Sequence, residues 1–192
     1  MAIDNLDLKL RFQTSWTAED EIAGRTSLVN TDSWSKTFSY VDSTSPTSAG
    51  GADEWVPYQF YINPSATLNL DLSAALTNAV NAANVPLVRV KAIDVWLLGN
   101  GEYAGVASPI TGTLCSGIAV GGAATHPAKL FFTNTSDSID LISEGAGARF
   151  AIATGGHAGY RLSSGMNDTL KVLNYDATYT AVGFIGICGG AT

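Results

Sequence analysis

The sequence predicts an all-β protein, an antiparallel β-sandwich of jelly-roll-like form with one short helix and an extended N-terminal segment. Three observations carry this prediction. Short apolar runs with alternating polar residues recur about every ten residues. Gly, Asn, Asp or His-Pro separates most of these runs, as is typical of turns. Charged residues make up only 14% of the 192 residues, whereas an average soluble domain has roughly 25%.

Composition also excludes several classes of protein. Hydrophobic residues are 46% of the chain, whereas disordered segments combine low hydrophobicity with high charge. Intrinsic disorder is therefore excluded. The net charge is -7 at pH 7, and a nucleic-acid surface needs clustered Lys and Arg, so we expect no nucleic-acid partner. Residues 1–64 hold nine acids against four bases, so most of the negative charge lies in the N-terminal third.

The N-terminal third is predicted to be an extended segment or arm. Residues 6–16 alternate, with Leu6, Leu8, Leu10 and Phe12 on one side, which predicts a strand with one buried face. Residues 42–54 lack large apolar side chains and are rich in hydroxyls, Gly and Pro, which predicts a flexible loop. We therefore divide the chain into an arm at 1–64 and a β-sandwich domain at 65–192.

The one predicted helix follows residues 67–72, which alternate as a strand does. Ser73 is placed to cap this helix, and Asn84-Val85-Pro86 is placed to end it. Its apolar positions recur about four residues apart, as on one helix face; they are Leu72, Leu76, Val80 and Ala83.

Beyond Leu87 the pattern is one of strands and turns. The alternation that ends at Ala92 resumes one residue out of phase at Ile93, Val95 and Leu97. This phase shift predicts a β-bulge near Ala92.

Residue types that carry chemistry occur without the spacing of a reactive site. Cys115 and Cys188 lie in small, apolar surroundings and are expected to be buried thiols in strands, although a disulfide stays open. His126 and His157 lie in turn-like segments, and no metal-ligand spacing surrounds them. The Gly-x-Ser-x-Gly elbow of many hydrolases is missing. We therefore expect no enzyme activity, no metal and no cofactor.

Aromatic residues are concentrated around the predicted loop. Trp34, Trp55, Tyr58 and Tyr61 are the candidate site residues, with Phe60 among them. One hypothesis is that they stack on sugar rings, which makes a glycan a possible ligand. The other is that they fill the core or a subunit interface, where aromatic residues concentrate.

The first residues have neither the basic region nor the apolar region of a signal peptide. No apolar run approaches the ~18 residues that a membrane helix needs. We therefore expect a chain that is made in a cytoplasm and has no membrane partner.

The order of segments over residues 87–190 resembles that of small β-sandwich structural proteins of bacteriophage virions. The order is a strand at 90–97, a Gly-rich segment at 116–123, an aromatic strand at 129–132, segments at 138–141 and 144–145, and strands at 168–174 and 179–186. Its most specific element is Asp-Thr-Leu-Lys-Val-Leu-Asn at 168–174. In that element Leu170 and Val172 are expected to face the core, and Asn174 is expected to begin a turn.

The resemblance implies a non-enzymatic virion protein, in a capsid, decoration or tail-associated role. Such proteins act as homo-oligomers with other virion proteins, and their location is the particle after synthesis in the host cytoplasm. The alternative is a carbohydrate- or receptor-binding β-sandwich module. That module would expose a row of Trp or Tyr on one sheet face, whereas a structural protein would bury Trp34, Trp55 and Trp96 in the core or between subunits.

Overall fold

A computed structural model describes residues 5–18, 28–42, 51–52, 54–74, 76–77, 84–99, 114–121, 125–128, 132, 136–143, 147–153 and 159–190, with the backbone alone at 5–18, 28–42 and 51. These residues form fourteen strands and no helix, so the all-β prediction is confirmed for this part of the chain. The strands are β1 (Asn5–Ala18), β2 (Leu28–Asp42), β3 (Gly51–Ala52), β4 (Glu54–Ile62), β5 (Thr67–Asp71), β6 (Leu76–Thr77), β7 (Asn84–Val85), β8 (Arg89–Leu97), β9 (Gly117–Gly121), β10 (Ser138–Ile142), β11 (Ala148–Ala153), β12 (Tyr160–Arg161), β13 (Thr169–Asn174) and β14 (Ala181–Gly190).

β1 and β2 form a long antiparallel hairpin. Fourteen residue pairs run without a register shift along the two strands. Leu8 is opposite Phe38 and Phe12 is opposite Trp34, so apolar residues of the two strands are paired in the register. β3 pairs in parallel with the end of β2 over two residues. Residues 43–50 and 53 of the predicted loop lie outside the described residues.

The other described strands form two larger antiparallel sheets and one small ladder. The four-stranded sheet has the order β10-β9-β13-β5. The five-stranded sheet has the order β11-β8-β14-β4, with β12 also paired to β8. β4 pairs with β14 over most of its length. A segment assigned from sequence to the arm thus provides a terminal strand of the five-stranded sheet.

β8 contains the predicted bulge. Cys188 lies opposite Ala92 while Gly189 lies opposite Val90, so Lys91 is the extra residue. Val90 and Ile93 are consequently both buried in the main core although they are three residues apart. The phase shift seen in the sequence therefore has the expected structural cause, and the prediction is confirmed.

One large cluster of buried residues draws its members from both larger sheets. The alternation of side chains along each strand decides which residues join this cluster. On β13, Leu170 and Val172 are buried while Lys171 is partly exposed, as predicted. Burial of each such aliphatic side chain contributes roughly 1.5–3 kcal/mol. Central members are Val56, Ile93 and Ile185 on the five-stranded sheet and Leu70, Ile118 and Val172 on the four-stranded sheet.

The short helix predicted after Leu72 is not found in the described part of its segment. Leu76 and Thr77 form β6 and pair with Val85 and Asn84 of β7, while residues 75 and 78–83 lie outside the described residues. Leu76 and Val85 are both buried in the main core. At Leu76, burial between paired strands takes the place of the predicted helix face, because tertiary packing overrides a local helical period. Val80 and Ala83 lie outside the described residues.

A hydrogen-bonded turn follows β13, beginning at Asn174 as predicted. Asn174 is fully buried, and its side-chain nitrogen donates to the carbonyl oxygens of Ile62 (3.1 Å), Asn63 (3.1 Å) and Tyr179 (2.8 Å). Its side-chain oxygen accepts from the backbone N–H of Asp176 at 3.1 Å. One amide therefore ties the end of β4 to the turn before β14.

Asp176 holds the same turn through its carboxylate. It accepts from the backbone N–H groups of Ser116 (2.9 Å), Thr178 (2.8 Å) and Tyr179 (3.0 Å), and these bonds lower its pKa to about 2. The ordinary Asp pKa is about 3.9, so the ionised carboxylate stabilises the fold above about pH 4, and that stabilisation is lost as pH falls through about 2.

We expect the folding stability of Asp176→Asn to depend less on pH in acid than that of the wild type. Asn has no carboxylate to protonate, so the urea midpoint of the variant should fall less between about pH 4 and pH 2 than that of the wild type. Denaturation followed by fluorescence across this range measures the difference. Asp140→Asn, at an exposed carboxylate on β10, is the control. Equal slopes for wild type and Asp176→Asn would contradict the assignment.

Candidate functional site

The five-stranded sheet has one face in the core and a second face directed away from it. Because side chains alternate along a strand, Ile93, Val95, Ile185 and Val56 belong to the core face. We call the opposite side the outer face. It comprises Trp55, Pro57, Gln59 and Tyr61 of β4, Phe184 and Gly186 of β14, Asp94 and Trp96 of β8, and Arg149 of β11.

Trp55 covers the glycine at the centre of the outer face. A Cβ atom on Gly186 would lie 2.2 Å from Cη2 of Trp55, so the indole ring rests directly over this residue. Trp55 also packs against the buried residues Ala52, Ala92 and Cys188. The missing side chain at Gly186 is therefore what lets the Trp55 ring lie in this position.

Trp96 and Phe184 form a second aromatic group. They are opposite one another in the β8–β14 register, with ring centroids 6.3 Å apart and planes at 44°. The Arg149 guanidinium lies 5.5 Å from the centroid of the Trp96 ring, which is cation–π geometry. Trp96 nevertheless remains 37% exposed, so part of its surface is open to a ligand.

An ion pair lies beside the aromatic groups. Nε of Arg149 donates to Oδ1 of Asp94 at 2.8 Å, and its Nη2 donates to Oδ2 of the same carboxylate. The hydrogen bond with Asp94 raises the pKa of Arg149. The Asp94 side chain is 12% exposed and that of Arg149 is 57% exposed. The carboxylate keeps acceptor capacity, since it offers about four lone-pair sites.

These residues surround a groove of about 250 Å³, which we call the aromatic groove. Gly186 lies between the two aromatic groups, and Asp94 is the charged residue of the lining. The volume is below the ~300–1,000 Å³ of pockets for drug-sized ligands. The groove is therefore suited to one ring of a larger molecule. Its lining residues are Trp55, Pro57, Asp94, Trp96, Phe184 and Gly186.

The structure does not bring the four aromatic residues predicted from sequence together. Trp55 and Tyr61 lie on the outer face, where Tyr61 is 62% exposed. Tyr58 packs against the core from the other side of β4. Trp34 lies in β2 opposite Phe12, and its side chain is outside the described residues.

The sequence pattern did not point to Phe184, Asp94 or Arg149, and it indicated Trp96 only as a residue that a structural protein would bury. A signal for two of these residues was present. The bulge near Ala92 puts Trp96 on the side opposite Ile93 and Val95, and Phe184 alternates with Ile185. Their meeting with Trp55 depends on strand pairing, which local alternation does not reveal.

The residues considered for chemistry are dispersed. His126 is exposed, with a left-handed backbone at φ 57°, and His157 lies outside the described residues. Cys115 and Cys188 are both buried and are not joined by a disulfide. Cys188 lies in β14 as expected, whereas Cys115 precedes β9, and burial raises the pKa of Cys115. Within the described ranges, no three His, Cys, Asp or Glu side chains are grouped so as to hold a metal ion.

Comparisons of the chain with protein families, characterised proteins and solved structures find no match. Among the described residues, no helix has the length and apolar character needed to cross a membrane. Function is therefore inferred from the geometry of the chain itself.

Proposed function

We propose that the chain is a non-enzymatic virion structural protein, a capsid or decoration subunit of a bacteriophage particle, which assembles with copies of itself as a jelly-roll β-sandwich. The observation that carries the proposal is the pairing of the eight strands of the two larger sheets other than β12. In chain order, the first pairs with the last (β4 with β14), the second with the seventh (β5 with β13), the third with the sixth (β8 with β11) and the fourth with the fifth (β9 with β10). This order matches that of a jelly roll, an architecture used by viral capsid and lectin domains, and it supports the proposed arrangement.

The shared core supports the sandwich arrangement. Residues of both larger sheets belong to the same buried cluster, as is expected when two sheets pack face to face. Because a fold alone does not determine function, the proposal also rests on the surfaces available for assembly.

The N-terminal hairpin is the principal such surface. β1 and β2 pair over fourteen residues, a length of roughly 45 Å at about 3.3 Å per residue. A two-stranded hairpin is at best marginally stable in water, and the only further strand of its sheet in the described part of the chain is the two-residue β3. A neighbouring copy would supply the missing contacts, for example by strand addition.

We expect the purified full chain to form a discrete oligomer or shell, and Thr37→Pro to reduce the assembled fraction. Thr37 lies in the middle of β2 opposite Lys9, and proline there removes a backbone donor and distorts the hairpin ladder. Native mass spectrometry and negative-stain electron microscopy measure the assembly. The matched control is Thr37→Val, which keeps the backbone N–H.

Thermal unfolding shows whether the two larger sheets survive the Thr37→Pro substitution, since β4 to β14 do not include this residue. A monomeric wild-type chain would overturn the proposed self-assembly. An assembled mass for Thr37→Pro equal to that of the wild type would show that the hairpin takes no part in the self-assembly.

A further inference from the structure

We infer that the aromatic groove is a saccharide site that takes one neutral hexopyranose ring of a glycan. This inference goes beyond the proposed structural role and does not depend on it, since the groove lies on a single chain. It also gives a defined place to the glycan ligand that the sequence left open.

The walls of the groove match the apolar faces of a sugar ring. Trp55 lies over Gly186 on one side, and Trp96 with Phe184 forms the other side. The C–H groups of a pyranose chair can pack on such rings while its hydroxyls stay at the edge. The groove volume of about 250 Å³ suits one ring, and the open surface leaves room for the rest of a glycan.

The ion pair distinguishes a sugar from an apolar protein partner. An apolar surface placed over Asp94 and Arg149 would desolvate both charges without replacing their hydrogen bonds to water, which is costly. Sugar hydroxyls can donate to the remaining lone pairs of Asp94 and accept from the exposed N–H groups of Arg149. The same surface therefore favours a ligand with apolar faces and a hydroxyl-rich rim.

A neutral sugar fits better than an acidic one. Asp94 at the groove is paired with Arg149, so the charges of these two side chains largely offset each other. The chain as a whole carries a net charge of -7. An anionic sugar would meet repulsion from this net negative charge.

The test uses the full-length protein and the methyl glycosides of glucose, galactose, mannose and N-acetylglucosamine. Saturation-transfer NMR detects binding, and titration of tryptophan fluorescence gives the affinity. We expect saturable binding of at least one glycoside, weakened about tenfold or more by Trp96→Ala. Asp94→Asn keeps the size of the side chain and is expected to weaken binding through loss of charged acceptors. Tyr179→Ala, at a 41% exposed tyrosine outside the groove, is the matched control and should bind as the wild type does.

Two results would overturn the inference. One is the absence of binding by all four glycosides at millimolar concentration. The other is equal affinity for wild type, Trp96→Ala and Asp94→Asn. If the glycosides fail to bind and Trp96→Ala instead lowers the assembled mass, the outer face is an interface between copies of the chain. That result would overturn the saccharide site and leave the proposed self-assembly standing.

Discussion

Asn174→Asp is expected to destabilise the fold by about 3–5 kcal/mol at neutral pH, the cost of a buried charge without a compensating partner. The side-chain nitrogen of Asn174 donates to three carbonyl oxygens, those of Ile62, Asn63 and Tyr179. A carboxylate at this fully buried position would direct its negative charge at the same oxygens. Because proteins are stable by only about 5–15 kcal/mol, this is a large share of the total.

The Asn174→Asp substitution also has a pH signature. Burial and the surrounding carbonyl oxygens would raise the pKa of the new carboxyl above its unfolded value. The loss of stability caused by the substitution should therefore be smallest in acid, where the carboxyl is neutral in both the folded and the unfolded state. It should grow as pH rises above about 4. Urea denaturation at several pH values measures it. Asn69→Asp, on the exposed side of β5, is the control with the same chemical change. Similar losses for the two variants would contradict the role of Asn174.

Gly183→Ala is expected to cost about 3 kcal/mol, the upper part of the usual range for overpacking a core. A Cβ atom on Gly183 would lie 2.2 Å from the backbone oxygen of Trp96 and 2.5 Å from Cζ of Phe60. The oxygen belongs to the neighbouring strand β8, which pairs with β14 at this point. It cannot move without disturbing the ladder, so rotation of Phe60 alone does not relieve the clash.

Gly186→Ala is the matched comparison, since it makes the same change on the same strand but on the outer face. Its Cβ atom would meet only the indole ring of Trp55 at close range. This ring belongs to a half-buried side chain rather than to the backbone and can shift without disturbing the ladder, so we expect a smaller loss of about 1 kcal/mol and a shift in tryptophan fluorescence. Thermal and urea unfolding compare the two variants. A larger loss for Gly186→Ala than for Gly183→Ala would contradict this account of β14.

The sequence predicted the features that depend on neighbouring residues. Alternation located the strand at 169–174, and a single phase shift located the bulge that the structure places at Lys91. At Leu76 and Thr77, local spacing predicted a helix where the structure has a strand. Leu76 pairs with Val85 in a short ladder, and spacing within the segment could not reveal this partner.

The sequence by itself determined that the described part of the chain is all-β, that alternate residues of a strand such as 169–174 are buried and that a turn begins at Asn174, because side-chain alternation and turn chemistry are local. Only the tertiary structure decided that β14 lies between β4 and β8. That pairing brings together Trp55, Asp94, Trp96, Arg149, Phe184 and Gly186 from four strands. Strand pairing is a long-range choice, made by the burial of the core face of the sheet. The groove on the outer face follows from that choice, since side chains that alternate with the core residues must lie on the opposite side.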